Sequence, residues 1–188
     1  MKKLLFLALV LCFSIAEVKS QSRVNRKGIL FGAALGASTL HLRSAQQVNS
    51  TDLAINWKVG YVLTPKLAVL LNGTVSIYDS HLQGRTRKRD FGGVFPAVQY
   101  LPARRVWVLG GVGVGTDAPV FYDLNPENKE ETKYYSGLGG VAAIGYELYQ
   151  KGNFTLDVQG RVTYGSVQVP QGRLNGLTTG LLLGFTFY

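Results

Sequence analysis

Gly176 to Tyr188, reading GLTTGLLLGFTFY, alternates in the way an extended strand requires. Leu177, Thr179, Leu181, Leu183, Phe185 and Phe187 fall on one face, while Thr178, Gly180, Leu182, Gly184, Thr186 and Tyr188 fall on the other. The first face is greasy and the second mostly small. A soluble sandwich strand can alternate in the same way, but this sequence stops on the strand, at an aromatic residue, with no polar tail. Such an ending suggests a strand that closes a sheet on itself. The fold then turns on whether the upstream sequence supplies the other strands of a transmembrane barrel, each about 9–11 residues long with an apolar face turned to lipid.

The other end of the chain sets the compartment. Lys2 and Lys3 precede an apolar run from Leu4 to Ala16 that turns polar at Glu17, the pattern of a secretory signal peptide. The run falls short of the roughly 20 residues a spanning helix needs. Cleavage is expected after Ala16 or, preferred, after Ser20, which makes 1–20 the signal, 21–27 a short periplasmic lead and 28–188 the barrel domain. Cys12, the one cysteine, leaves with the signal, so the mature chain has no thiol or disulfide chemistry. Loss of Lys2, Lys3, Lys19 and Glu17 leaves 17 basic and 10 acidic side chains, a net +7. An exported basic protein seldom meets nucleic acid; anionic lipid headgroups are its natural partner. Twenty-three glycines, abundant tyrosine and phenylalanine and 16% charged residues fit many amphipathic strands better than a helical membrane protein or a soluble enzyme.

Read in order, the chain yields seven more strands. Gly28–Leu42 places Ile29, Phe31, Ala33, Leu35 and Ala37 on its larger face. Thr51–Leu63 sets Leu53, Ile55, Trp57, Val59, Tyr61 and Leu63 against a face with Asn56 and Lys58. Thr64-Pro65-Lys66 is a tight turn, and the third strand alternates Leu67, Val69, Leu71 and Val75 with Ala68, Leu70, Asn72 and Thr74. The fourth, Phe91–Tyr100, contains Pro96, which removes a ladder hydrogen bond and predicts a bulge. The fifth pairs a valine face with the glycine row Gly111, Gly113 and Gly115. The sixth runs from Tyr134 to Leu148. The seventh sets Phe154, Leu156, Val158, Val162 and Tyr164 against Thr155, Asp157, Gln159, Arg161 and Thr163.

Between these strands, long polar loops at 41–50, 79–90, 118–133 and 168–175 alternate with short turns at 64–66, 101–104 and 150–153. That is the plan of an eight-stranded antiparallel up-and-down barrel with short periplasmic turns and longer external loops. A lipocalin-like soluble barrel shares the strand count but turns its greasy face inward. Here Asn56, Lys58, Asn72, Glu147, Asp157, Gln159 and Arg161 all oppose the apolar rows, so the apolar rows are read as outward. Buried together, Lys58, Arg161, Glu147 and Asp157 are tolerable only if they pair, which predicts a polar network filling the lumen. Trp57, Tyr61, Tyr100, Tyr134, Tyr146, Phe154, Tyr164 and Phe187 are candidates for interfacial girdles.

Signal peptide, strand count, loop asymmetry and the GFTFY ending together resemble the small eight-stranded outer-membrane β-barrels of the OmpA/OmpX-like superfamily, over Gly28 to Tyr188. In one respect the ending departs from that family: Tyr188 is out of phase with Phe185 and Phe187, where the assembly signal puts its last aromatic on the lipid-facing register. The resemblance implies an integral outer-membrane protein, porin-like in fold, inserted by the barrel-insertion machinery and carrying no cofactor. It also admits a lipid A acyltransferase-like enzyme, for which His41, Asp79 and Ser80 are an unspecific match at the rim, and a secretion or conjugation-apparatus subunit with a protein partner. Arg85, Arg87, Lys88 and Arg89 form a basic cluster suited to lipopolysaccharide phosphates. The acidic stretch from Asp123 to Glu131 lacks the spacing of an EF-hand, and no metal site is expected. Gly111–Gly115 (GVGVG) is followed by no helix, so it is read as packing and not as a nucleotide loop. The expected role is structural or surface-interacting, without an open pore.

Overall fold

A computed structural model describes residues 24–43, 47–82, 85–120, 133–170 and 172–188. The expected signal peptide, the acidic stretch 123–131 and the side chains of Arg85 and Arg87 lie outside the described residues. Eight strands, β1 (Gly28–Arg43), β2 (Gln47–Thr64), β3 (Leu67–Leu82), β4 (Arg85–Tyr100), β5 (Val106–Pro119), β6 (Tyr135–Lys151), β7 (Phe154–Val169) and β8 (Gly172–Phe187), follow one another round a closed antiparallel barrel. The terminal stretch closes it: β8 pairs with both β7 and β1, and Leu183 stands opposite Val158 on one side and Leu35 on the other. Following paired residues once round from Trp57, through Gly73, Val94, Val114, Leu138, Ser166, Asn175 and Arg43, returns to β2 at Gln47, ten residues above the start. That stagger tilts the strands and fixes a bore narrow enough for side chains to fill.

The assignment of sides follows from alternation and is clear in the exposures. Trp57 and Leu183 are 40% and 53% exposed, whereas Lys58 and Asp157 are 5% and 1% exposed. Ile29, Phe31, Leu35, Val59, Tyr61, Val112, Leu138, Ile144 and Leu181 all face outward and are exposed, forming an apolar belt. In water such a surface is untenable, because the largest apolar patch on a soluble monomer covers only a few hundred Å². At the short-turn end the belt finishes in rings: Phe187 stacks on Phe31 at 5.1 Å and lies 4.8 Å from Phe154. Tyr188, one residue out of phase, turns inward and packs on the lower core.

Two sequence expectations are corrected. Pro96 produces no bulge: the β4–β5 ladder lapses at Phe95 and Pro96 and then resumes in the same register, from Val94↔Val114 to Ala97↔Gly111. Pro96 faces outward, so its missing N–H interrupts pairing without inserting a residue. The register shifts fall instead at Val62/Thr64 and Glu147/Tyr149, beside the short turns. The supposed loops 41–50, 79–90 and 168–175 are largely strand. β1 and β2 stay paired to Arg43↔Gln47, β3 and β4 to Leu82↔Arg85, and β7 and β8 to Val169↔Gly172. Strands of 14–18 residues exceed the roughly 9–11 that a membrane requires, and the surplus stands beyond the belt as hairpins.

At the opposite end the turns are short and cross-tied. Gly152 adopts φ 60°, a left-handed conformation that glycine takes without steric cost, and lets β6 return as β7. The lead segment joins this edge: the Asn25 N–H donates to Gly152 O at 2.9 Å.

Candidate functional site

The interior is built in layers. Leu30, Leu70, Phe95, Ala97, Trp107, Leu109 and Val141 make a lower apolar cluster, and Leu40, Leu42, Tyr78, Phe91, Val167 and Leu174 an upper one. Glycines on the inner face admit the large rings. A Cβ on Gly145 would lie 2.2 Å from the Trp107 indole, and one on Gly176 would lie 2.3 Å from Phe91. The glycine row on β5 sits within this packing, with Gly111 and Gly113 close against the β4 backbone.

Alongside the lower cluster, Asn56, Lys58, Glu147, Asp157, Gln159 and Arg161 are all buried and face inward. Arg161 donates to Asn72 Oδ1 at 2.6 Å, to Gln159 Oε1 at 2.8 Å and to Asn56 Oδ1 at 3.0 Å. Gln159 Nε2 in turn donates to Asp157 at 3.2 Å. Lys58 Nζ donates to Gln99 Oε1 at 3.2 Å and lies 4.7 Å from the centre of the Trp107 ring, an ammonium over an aromatic face. The expected direct pairing of Lys58, Arg161, Glu147 and Asp157 is therefore corrected: among the described residues no ion pair joins any two of them. Neutral amides hold the two cations directly, and Gln159 links Arg161 to the buried Asp157 carboxyl.

Glu147 finds its cation outside the strands. Arg26, from the lead, pairs with it, while Gln150 donates to the same carboxylate and the Tyr188 hydroxyl donates to it at 3.4 Å. Arg26 also lies 5.4 Å from the Tyr188 ring centre. The lead thus caps the short-turn mouth, a contact that the strand pattern could not reveal.

At the other mouth the basic stretch divides by side. Arg89 points inward and is buried, bonded to Asp117 through Nε and Nη2 at 3.1 Å each; Tyr78 donates to the same carboxylate at 2.9 Å. Its assignment to a lipopolysaccharide contact is thereby corrected, since a buried, doubly bonded guanidinium does not face a lipid surface. Lys88 points outward and bridges Asp52 at 3.0 Å and Asp79 at 3.1 Å. His41 bonds Asn49 at 2.7 Å. His41 on β1 and Asp79 on β3 are separated by β2, and among the described residues no hydrogen bond brings His41, Asp79 and Ser80 together. Across the described residues no cluster of His, Cys, Asp or Glu forms a metal-holding group.

The Lys88 bridge spans a seam. β2 and β3 pair only up to Ala54↔Ser76, whereas each continues upward with its own hairpin partner. Above that point Lys88 and Asp52 form a link between the hairpins among the described residues. The Leu53 N–H and then Lys88 hold the Asp52 carboxyl below its ordinary pKa, and Asp52 and then Asp79 hold the Lys88 ammonium above its own. A lowered acid contributes above its unfolded pKa and loses that contribution as pH falls through the folded value; a raised base contributes below its unfolded pKa and loses it as pH rises through the folded one. The bridge should hold from about pH 4 to about pH 10. Spin labels at Asn49 and Thr86 should give one narrow distance distribution between pH 5 and 9 and a broader one once the pH falls far enough below the ordinary carboxylate range to protonate Asp52. In Lys88→Ala the distribution should be broad throughout.

No protein-family profile matches the chain, and no curated protein sequence matches it. Solved structures do. Ail, the attachment invasion locus protein of Yersinia pestis, in complex with the heparin analogue sucrose octasulfate, superposes with TM-score 0.55 at 13% identity over 85% of this chain and 99% of that one. Neisserial surface protein A superposes with TM-score 0.55 at 14% identity, over 86% and 99%. The fold is that of the small eight-stranded outer-membrane β-barrels.

Proposed function

We propose that this chain is an integral outer-membrane barrel with a structural or surface-interacting role and no open pore. The observation that carries the reading is the pairing of an outward apolar belt with a packed interior. The expected signal peptide directs export, and outer-membrane barrels place their short turns in the periplasm and their longer hairpins outside. On that orientation the paired extensions of β1–β2, β3–β4 and β7–β8 project from the cell, offering a stiff, mostly polar surface to a partner. Ail, with the same fold, was crystallised in complex with the heparin analogue sucrose octasulfate, which supports an interactive role for a scaffold of this kind.

Solute conduction is disfavoured because Trp107, Phe95 and Phe91 occupy successive levels of the bore, with the Arg161 amide cluster among them and Arg26 across the lower mouth. Purified protein in planar bilayers should give no sustained ohmic channel. A stable open conductance from the native chain would contradict the filled-lumen reading.

A further inference from the structure

The outer wall is not uniformly apolar. Register places Thr39 opposite Thr51 on one side and Thr179 on the other, so three threonines stand in a row across β2, β1 and β8. Thr39 and Thr51 share a hydrogen bond of 3.0 Å. One hydroxyl hydrogen of that pair is left over, and Thr179 adds another hydroxyl. Just below, the outer wall is low at Ala37, and with Ser38, Gly180, the three threonines and Leu181 it lines a shallow, open groove of about 330 Å³. Its floor continues into the lipid-facing belt through Leu35 and Leu181, both more than half exposed.

Above the row the chemistry changes again. His41 and its partner Asn49 come next on the same face, beside Leu177, and then Arg43 opposite Asn175. Arg173 lies two residues beyond Asn175, which puts the two arginines on a diagonal of about 7–8 Å between neighbouring strands. Both are exposed, and neither forms an ion pair among the described residues. The wall thus reads, from the membrane core outward: leucine belt, hydroxyl-lined groove, imidazole and amide, two guanidinium forks.

We infer that this β8–β1–β2 face is a binding site for lipopolysaccharide, taking an acyl chain in the groove, its polar acyl linkages at Thr39, Thr51 and Thr179, and its phosphates at Arg43 and Arg173. Each level matches one part of an amphiphile lying along the barrel. Two guanidinium groups separated on a diagonal suit a headgroup with more than one phosphate better than the single phosphate of a glycerophospholipid. The row spans three strands, about 10 Å, wide enough to meet polar linkages on more than one chain. The face is separate from the Lys88 bridge, and the inference rests on the outer-membrane reading above.

The test reconstitutes the signal-free chain into phosphatidylcholine nanodiscs containing either lipopolysaccharide or phosphatidylglycerol at matched charge. Lipid retained on the barrel after detergent extraction is then counted by native mass spectrometry. Lipopolysaccharide should be retained in preference to phosphatidylglycerol. The Arg43→Ala/Arg173→Ala pair should lower its retention about tenfold and Thr39→Val/Thr179→Val about threefold, fold-changes in the range of a lost charge-assisted and a lost neutral hydrogen bond. Ala37→Leu, which fills the groove and leaves the arginines in place, should also weaken retention, and Lys151→Ala at the opposite end should not. All these positions face outward, and heat-modifiable migration confirms that each variant is folded. Equal retention of the two lipids, or retention untouched by the arginine and threonine changes, overturns the site. Failure of the native chain to insert into any bilayer would instead remove the membrane reading itself.

Discussion

Replacing Arg161 by alanine is expected to lower the unfolding free energy of the barrel by about 3–5 kcal/mol, because each buried acceptor left without a donor costs about 1–3 kcal/mol. Three acceptors depend on this one side chain: Asn72, Gln159 and Asn56, on β3, β7 and β2. Their oxygens are held apart by rigid strands and cannot turn to one another. Water entering the vacated space would recover some of the loss, which keeps the expectation below the simple sum. Arg161→Lys returns one or two donors without the planar fork and should fall between native and alanine. Urea titration in lipid bilayers, followed by heat-modifiable migration, measures the change.

Leu183→Arg should cost about 2–4 kcal/mol, the penalty of a cation on the lipid face near the bilayer midplane. Leu183 is well inside the belt, opposite Leu35 and Val158, and has no acidic neighbour on its face. The same arginine at Leu177, beside His41 near the upper edge of the belt, should cost about 1 kcal/mol or less, since the penalty falls toward the interface. A depth gradient of this kind belongs to lipid contact. A soluble barrel would show no such difference between two exposed positions.

Much of this was legible in the chain. Strict alternation in β2 and β8 fixes which residues share a face, and the polar set opposite the apolar rows, Asn56, Lys58, Asn72, Glu147, Asp157, Gln159 and Arg161, sets which face points outward. Strand ends were harder to see, because at and above the edge of the belt the outward face turns polar, as at Thr39, His41, Asn49 and Thr51, while the apolar residues turn inward, as at Leu40 and Leu42, so the pattern of the belt reverses and looks like a loop. The inward residues of the lumen could be named, but their partners could not. Partnership across a barrel depends on the ten-residue stagger, which carries Lys58 to Gln99 and Trp107 instead of to an acid. Extending the β4 alternation upward from Phe91 would have separated inward Arg89 from outward Lys88. No pattern marked Arg26, whose role comes from a chain turn that brings the lead beneath the barrel.

The decisive observation is a nitroxide scan along β8 from Leu177 to Phe187 in lipid bilayers, comparing collisions with molecular oxygen, which concentrates in lipid, against those with a water-soluble nickel chelate. Oxygen accessibility should be high at Leu177, Thr179, Leu181, Leu183, Phe185 and Phe187 and low at each residue between them, with a period of two and a maximum near Leu183. A scan that favours the nickel reagent at Leu181 and Leu183, or that shows no alternation, would contradict a greasy wall facing lipid around a filled core.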